Sequence, residues 1–257
     1  AGNTGIGLAA LGIPRGYRVV ITMPSNQAPE KFKMLQALGA EVKAVEPVPF
    51  ANPLHFYHQA RSLAEKDPRG FWANQFENKS NYQAHYQTTG PEIWDQMQQN
   101  LDVFVAATGT GGTIGGVSRY LKQKQSSVRT VLVDPFGSGM YSYVQSGEIK
   151  TEGSSVTEGI GIMRITANFA EAQIDEAIRV SDTEMISMLY YLAKAEGLFV
   201  GTSAALNVVA AFRLAQRKTG QRIVTILCDH GSRYQDRVLS QDWIAEKKLK
   251  VLPISEL

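Results

Sequence analysis

Cysteine is almost missing from this chain: Cys228 is the only one among 257 residues. That excludes an intrachain disulfide and a Cys-rich zinc site, and it fits a reducing compartment. Long apolar runs are missing as well. Stretches such as residues 223–228 (IVTILC) are strand-sized, far short of the roughly 18 to 20 residues that cross a bilayer as a helix. The opening residues lack the basic, apolar and small-residue order of a signal peptide, so the cytoplasm is the expected compartment. Neither sign of charge is in excess: 26 basic against 24 acidic side chains leave +2, which gives no footprint for nucleic acid. With 23 glycines and 10 prolines, scattered, the chain is neither collagenous nor disordered. What is present is ample core material, 44% hydrophobic against 19% charged residues, enough for one large domain or two small ones.

Short β-branched runs alternate with helical patterns, the rhythm of βαβ units and a mostly parallel sheet. Residues 17–23 (YRVVITM) read as a buried strand. Residues 29–38 carry an apolar helical stripe at Phe32, Met34, Leu35 and Leu38, closed by Gly39 in a left-handed cap. Residues 41–45 return as a strand, 55–66 as a helix, 103–107 and 130–133 as strands, and 114–124 as a helix. Ser181 and Glu184 form a capping box that opens a helix running to Gly197. Residues 198–200 read as a short strand, 204–218 as a helix and 222–228 as a buried strand. The segment 135–168 has no strong periodicity, and long irregular stretches in α/β domains tend to carry function. Polar sequence over 75–90 suggests a domain boundary.

The sharpest motif is Gly109-Thr110-Gly111-Gly112-Thr113 between a strand and a helix. Glycines let a ligand approach the backbone, consecutive NH groups form a concave donor set at a helix start, and two threonine hydroxyls can add to it. That suits a phosphate. The run lacks the Lys-Ser/Thr ending of a nucleotide P-loop and the glycine spacing of a dinucleotide fold. A tight turn with no ligand is the alternative. Gly2-Asn3-Thr4-Gly5 is a second such turn, suited to a carboxylate or phenolate oxygen, or simply an Asn/Thr helix cap.

Other reactive residue types read more plainly. Ser203, between a strand and a helix, reads as an N-cap. Cys228 reads as an inert core thiol. His55 and His58, three apart on a helix, have no third ligand at metal spacing, so no metal site is expected. His85 and His230 fall in loops. Lys31 and Lys33 lie on an amphipathic helix and read as solvated.

Taken together, the motifs resemble the pyridoxal-phosphate-dependent cysteine synthases (O-acetylserine sulfhydrylases) and their relative cystathionine β-synthase. The matching stretches are the opening AGNTGIGLA, Gln75-Phe76, TTGPEIW ending at Trp94, GTGGT from Gly109, EGIG from Glu158, GTS from Gly201 and GSRY from Gly231. They stand in family order over nearly the whole chain. The resemblance implies two three-layer αβα domains with mostly parallel sheets, the tryptophan synthase β-like arrangement of fold type II pyridoxal-phosphate enzymes. Residues 1–78 would be the remainder of a smaller domain and 79–257 the larger domain that holds the cofactor phosphate.

It also implies roles. Gly109, Thr110, Gly111, Gly112 and Thr113 would hold the phosphate, Asn3 the pyridine 3′-oxygen, and Ser203 would face the pyridine nitrogen. Gly2, Thr4 and Gln75 would belong to the substrate α-carboxylate site, and Gly159 and Gly161 would line its mouth. The implied reaction forms L-cysteine from O-acetylserine and sulfide through an aminoacrylate, with homocysteine in place of sulfide as the alternative. Implied partners are a second copy of the chain in a homodimer and a serine acetyltransferase.

Three departures stand out. The family's Schiff-base lysine belongs upstream of the asparagine loop, and this chain begins at that loop, so the lysine is expected before Ala1; without one, the chain would be a catalytically silent ligand- or partner-binding homologue. Ala1 stands where the family commonly has serine. The usual Ser-Ser-Gly near the pyridine nitrogen reads Ser203-Ala204-Ala205.

Overall fold

A computed structural model describes residues 2–257; Ala1, and the departure noted there, lies outside the described residues. The chain divides into two compact units, residues 1–75 and 76–257, the division falling slightly before the 78/79 boundary expected from sequence.

In the first unit, α1 (Gly2–Gly12) is followed by β1 (Val20–Pro24), α2 (Pro29–Ala37), β2 (Glu41–Val45) and α3 (Phe56–Glu65). The strands β1 and β2 pair in parallel, Val20 opposite Glu41 through Pro24 opposite Val45. Helix α1 lies close on β1: a Cβ at Gly5 would stand 2.8 Å from Cγ2 of Ile21. Ile6, Ala9, Ile21, Met23, Leu35 and Ala40 form the core between them. The expected stop of α2 is present, Gly39 adopting φ +87°, a conformation costly for any residue with a Cβ. Strand β1 starts later than residue 17 because Tyr17 is 68% exposed and takes no part in the ladder.

The second unit begins with α4 (Ser80–Gln87) and α5 (Thr89–Gln96) and continues through β3 (Val103–Ala107), α6 (Gly112–Lys124), β4 (Arg129–Pro135) and α7 (Met140–Ser146). It ends with β5 (Glu176–Val180), α8 (Asp182–Ala195), α9 (Thr202–Arg217), β6 (Ile223–Thr225) and α10 (Gln241–Glu246). The strands form a parallel sheet in the order β5-β4-β3-β6. Alternation along the strands makes three layers. Val103, Val105, Val131, Val133, Ile178 and Val180 face α8 and α9, while Phe104, Ala106, Leu132 and Ala177 face α5, α6 and α7. Each sheet face is therefore covered by its own helices, as the β-branched runs of the sequence require.

Three expected elements differ. Residues 198–200 form no strand; Val200 makes a single antiparallel bridge with His230. The run 222–228 is strand only over Ile223–Thr225, and those residues are half-buried, because β6 is the sheet edge and pairs with β3 alone. Beyond it the backbone leaves the ladder, and the Asn207 amide takes over, Nδ2 donating to the Ile226 carbonyl at 2.8 Å. The irregular segment 135–168 contains α7. Among the described residues no helix is long and apolar enough to cross a membrane, and no cluster of side chains could hold a metal ion.

Candidate active site

Strand β3 ends at Ala107, and the chain passes through Thr108, Gly109, Thr110 and Gly111 into α6. Gly111 is the N-cap, with φ +89°, and no side chain caps the helix. Gly112 N makes one long bond, to Thr110 Oγ1 at 3.4 Å, and the helix start carries the positive end of the dipole of a 13-residue helix. The hydroxyl-bearing Thr110 is fixed from two sides. Asn81 Nδ2 donates to Thr110 Oγ1 at 3.0 Å, and Thr166 Oγ1 donates to the Thr110 carbonyl at 2.7 Å. Crowding explains the glycines. A Cβ at Gly109 would stand 2.0 Å from the Gly159 carbonyl oxygen, at Gly111 2.4 Å from Phe169 N, and at Gly112 2.0 Å from Asn81 Oδ1.

Thr113 adjoins a histidine from α4. His85 Nε2 lies 3.3 Å from Thr113 Oγ1 and Nδ1 lies 2.9 Å from Thr89 Oγ1. Burial lowers the His85 pKa, so the ring is neutral near pH 7, with one nitrogen donating and the other accepting. If Thr89 donates to Nδ1, then Nε2–H donates to Thr113 Oγ1 and leaves the Thr113 proton for another acceptor.

The glycines of the expected mouth meet this cradle. Gly161 N donates to the Thr108 carbonyl at 3.2 Å, and the Gly159 carbonyl sits over Gly109. Both glycines have positive φ, +80° and +78°. The second unit thus brings Gly109 to Thr113 together with Gly159 and Gly161.

Ser203 does not cap α9. Gly201 is the N-cap and Ser203 is already inside the first turn, 5% exposed. One turn on, Asn207 ties the helix to β3, its Oδ1 accepting from Ala107 N at 2.7 Å. Cys228 is exposed rather than in a core strand, with its thiol turned toward Asn207 at 3.5 Å and toward Ser203. Desolvation of that inward sulfur raises its pKa despite the open residue surface, so the thiol stays an unreactive one for a different reason than expected.

In the first unit, Gly2, Asn3 and Thr4 form the first turn of α1, which carries no acidic side chain and so suits an anion. Lys31 is not solvated: it is 1% exposed, its stem running under Gly2, where a Cβ would stand 2.9 Å from Lys31 Cδ. Lys33 is exposed as expected. Gln75 is half-buried in the turn that ends the unit. His55 caps α3, its Nδ1 accepting from Tyr57 N at 3.3 Å, and His58 Nε2 meets the Phe50 carbonyl at 2.7 Å.

Sequence reading missed Asn81, Thr166 and the burial of Lys31, and it expected His85 in a loop, whereas His85 lies on α4. Asn81 and His85 lie just ahead of the TTGPEIW stretch, the one local signal that could have drawn attention to α4.

The sequence pattern of the family described as pyridoxal-phosphate dependent enzyme matches residues 1–229. Cysteine synthase 1 of Emericella nidulans is 46% identical over 97% of this chain and 69% of its own length. Cysteine synthase of Dictyostelium discoideum is 43% identical over 100% of this chain and 71% of its own. Among solved structures, the O-acetylserine dependent cystathionine beta-synthase from Helicobacter pylori superposes with a TM-score of 0.82 at 35% identity, covering 92% of this chain and 74% of that one.

Proposed function

The chain belongs to the pyridoxal-phosphate-dependent enzymes, and from that premise we propose that it forms L-cysteine from O-acetylserine and sulfide by β-replacement. The bond from the β-carbon to the acetate oxygen breaks, a carbon–sulfur bond forms at the same carbon, and acetate leaves with the electron pair; no redox partner is needed. The observation that carries the reading is the uncapped start of α6, with Thr110 held between Asn81 and Thr166, in a chain close to half identical to cysteine synthases.

The donor set fits pyridoxal 5′-phosphate: an uncapped helix start and threonine hydroxyls suit a phosphate dianion, and a neutral serine hydroxyl suits a pyridine nitrogen. When bound, the cofactor supplies the electron sink for elimination and addition at the β-carbon. In the second unit Gly109, Thr110, Gly111, Gly112 and Thr113 take the phosphate, and the neutral Ser203 hydroxyl does not hold the ring nitrogen protonated. That limits the sink and favours β-replacement over deeper carbanion chemistry. Gly159 and Gly161 border the substrate. In the first unit Asn3 is assigned to the ring oxygen and Gly2, Thr4 and Gln75 to the amino-acid carboxylate, with the buried Lys31 stem supporting that turn. Orienting the carboxylate and the ring fixes the reacting Cα–H bond. A homodimer, a serine acetyltransferase partner and a cytoplasmic setting belong to the same reading, supported by the family resemblance.

A second reading, homocysteine as acceptor, is favoured by the likeness to a structure titled as an O-acetylserine dependent cystathionine beta-synthase. The test is the full-length protein purified with pyridoxal phosphate. A visible cofactor band that survives dialysis and bleaches on mixing with O-acetylserine is expected; a protein that neither retains the cofactor nor responds to the amino acid contradicts the proposal.

A further inference from the structure

The sequence stretch Gly231-Ser232-Arg233-Tyr234 has no part in the roles assigned above, yet it forms a turn held by hydrogen bonds to two neighbouring segments. Tyr234 is 2% exposed, and its hydroxyl donates to Asp229 Oδ2 at 2.7 Å. Gly231 N donates to the Phe199 carbonyl at 3.1 Å, and Gly201 N to the Asp229 carbonyl at 2.9 Å. The turn is thereby fastened to the segment that leads into α9. Arg237 follows directly, its own NH donating to the Tyr234 carbonyl at 3.2 Å.

From this anchor the Arg237 guanidinium reaches back to Glu158, Nη1 donating to Oε1. The Glu158 side chain is 7% exposed and that of Arg237 25%. A carboxylate at that depth is costly without a partner, and a buried ion pair is on balance a poor source of stability compared with apolar packing. What such a pair does supply is a fixed position. Glu158 immediately precedes the Gly159-Ile160-Gly161 run, whose two glycines leave its backbone little intrinsic stiffness. That run must be held accurately, because the Gly159 carbonyl packs over Gly109 and Gly161 N bonds to the Thr108 carbonyl, both at the edge of the phosphate cradle.

We propose that Arg237 is a positioning residue for the substrate mouth, holding the Glu158–Gly161 run against the cradle through its ion pair with Glu158. This rests on the assignment of Gly159 and Gly161 to the substrate border. The Gly231–Tyr234 turn is the anchor from which the clamp works.

The full-length holoenzyme and its Arg237→Met, Arg237→Lys and Glu158→Gln variants test this by steady-state kinetics in O-acetylserine and by hydrogen exchange of the peptide spanning 158–161. A displacement of about 1 Å in a positioning group costs on the order of 100-fold. In Arg237→Met the KM for O-acetylserine is expected to rise at least about ten-fold with kcat within about three-fold, the mark of lost uniform binding. Exchange at 158–161 is expected to accelerate while β3 and β4 stay unchanged, and Arg237→Lys, which keeps the charge but loses the planar fork, recovers part of both effects. An unchanged KM in an active variant, or unchanged exchange at 158–161, overturns the proposal; so does a fall in kcat and cofactor content with KM constant, which marks mere support of the fold. A wild-type protein without turnover contradicts the cysteine synthase reading instead, and the exchange measurement still decides the clamp.

Discussion

Gly109 lies so close under Gly159 that a Cβ at position 109 would stand 2.0 Å from the Gly159 carbonyl oxygen. Two glycine motifs fifty residues apart in the chain are therefore one object in the fold: the Gly109–Thr113 run and the Glu158–Gly161 run share a contact with no room for a methyl group. The glycine at 109 is required by its neighbour's backbone, beyond any need of a ligand.

Replacing Gly109 by Ala forces one of the two segments to move. Overpacking of this kind costs about 1 to 3 kcal/mol. The variant is expected to show a lower thermal midpoint and to lose pyridoxal phosphate on dialysis, followed by the visible band; retention of both wild-type values contradicts the contact.

Asn81→Ala removes the donor that fixes the Thr110 hydroxyl, while leaving the backbone NH groups of α6 in place. Loss of one such bond is worth about 1 kcal/mol, or about five-fold in affinity. Titration of the apoprotein with pyridoxal phosphate, followed by intrinsic fluorescence, is expected to show that weakening without a change in secondary structure by circular dichroism.

Much of this organisation was legible in the sequence and some was not. The capping box is in place, Glu184 N donating to Ser181 Oγ at 3.3 Å and Ser181 N to Glu184 Oε2 at 2.9 Å, because it depends only on residues three apart. Strands β2 and β3 stand at their expected bounds, since a β-branched run flanked by breakers is local information. Lys31 could not be read locally: its burial depends on the slot under Gly2, a residue 29 positions away. The run 222–228 looked like a buried strand from its apolar content, but how deeply such a run is buried is decided by its partners, and β6 has only β3. Ser203 looked like a cap because serine commonly is one; the helix begins one residue before it, at Thr202, after Gly201. The glycine-rich run 109–113 stands out in the sequence, whereas Asn81 and His85, which bond its threonine hydroxyls, come from α4 and carry no motif of their own.

Asp134, at the end of β4, gives a pH signature. It is fully buried, Oδ2 accepts from Tyr141 N at 2.7 Å, and Oδ1 has no partner. Burial outweighs the hydrogen bonds and pushes its pKa up to about 6. The native state therefore holds this proton more tightly than the unfolded chain. The resulting contribution is fully present below the ordinary carboxylate value and is lost as pH rises through about 6. It amounts to about 3 kcal/mol. Denaturant midpoints measured from acid to neutral pH are expected to carry this downward component in the wild type and to lose it in Asp134→Asn.

His85 acts with the opposite sign. Its pKa is lowered by burial, so the unfolded chain takes up the proton first, and stability is lost as pH falls below the ordinary histidine value of 6.5. Protonation also removes the acceptor that the ring offers between Thr89 and Thr113. Wild-type protein is expected to release pyridoxal phosphate increasingly as the pH drops below 6.5, and His85→Gln to show weaker retention at neutral pH with a flatter acid limb. An identical acid limb in the two proteins contradicts the role given to His85.

The central claim is the reaction itself, and it is tested most directly by supplying the full-length, cofactor-loaded protein with O-acetylserine and sulfide and assaying L-cysteine and acetate together. Equimolar cysteine and acetate, dependent on sulfide and reduced in a Thr110→Ala, Thr113→Ala double variant, is the predicted result. Cofactor-loaded wild-type protein that releases no acetate and forms no cysteine, or that forms cystathionine with homocysteine while leaving sulfide unused, contradicts it.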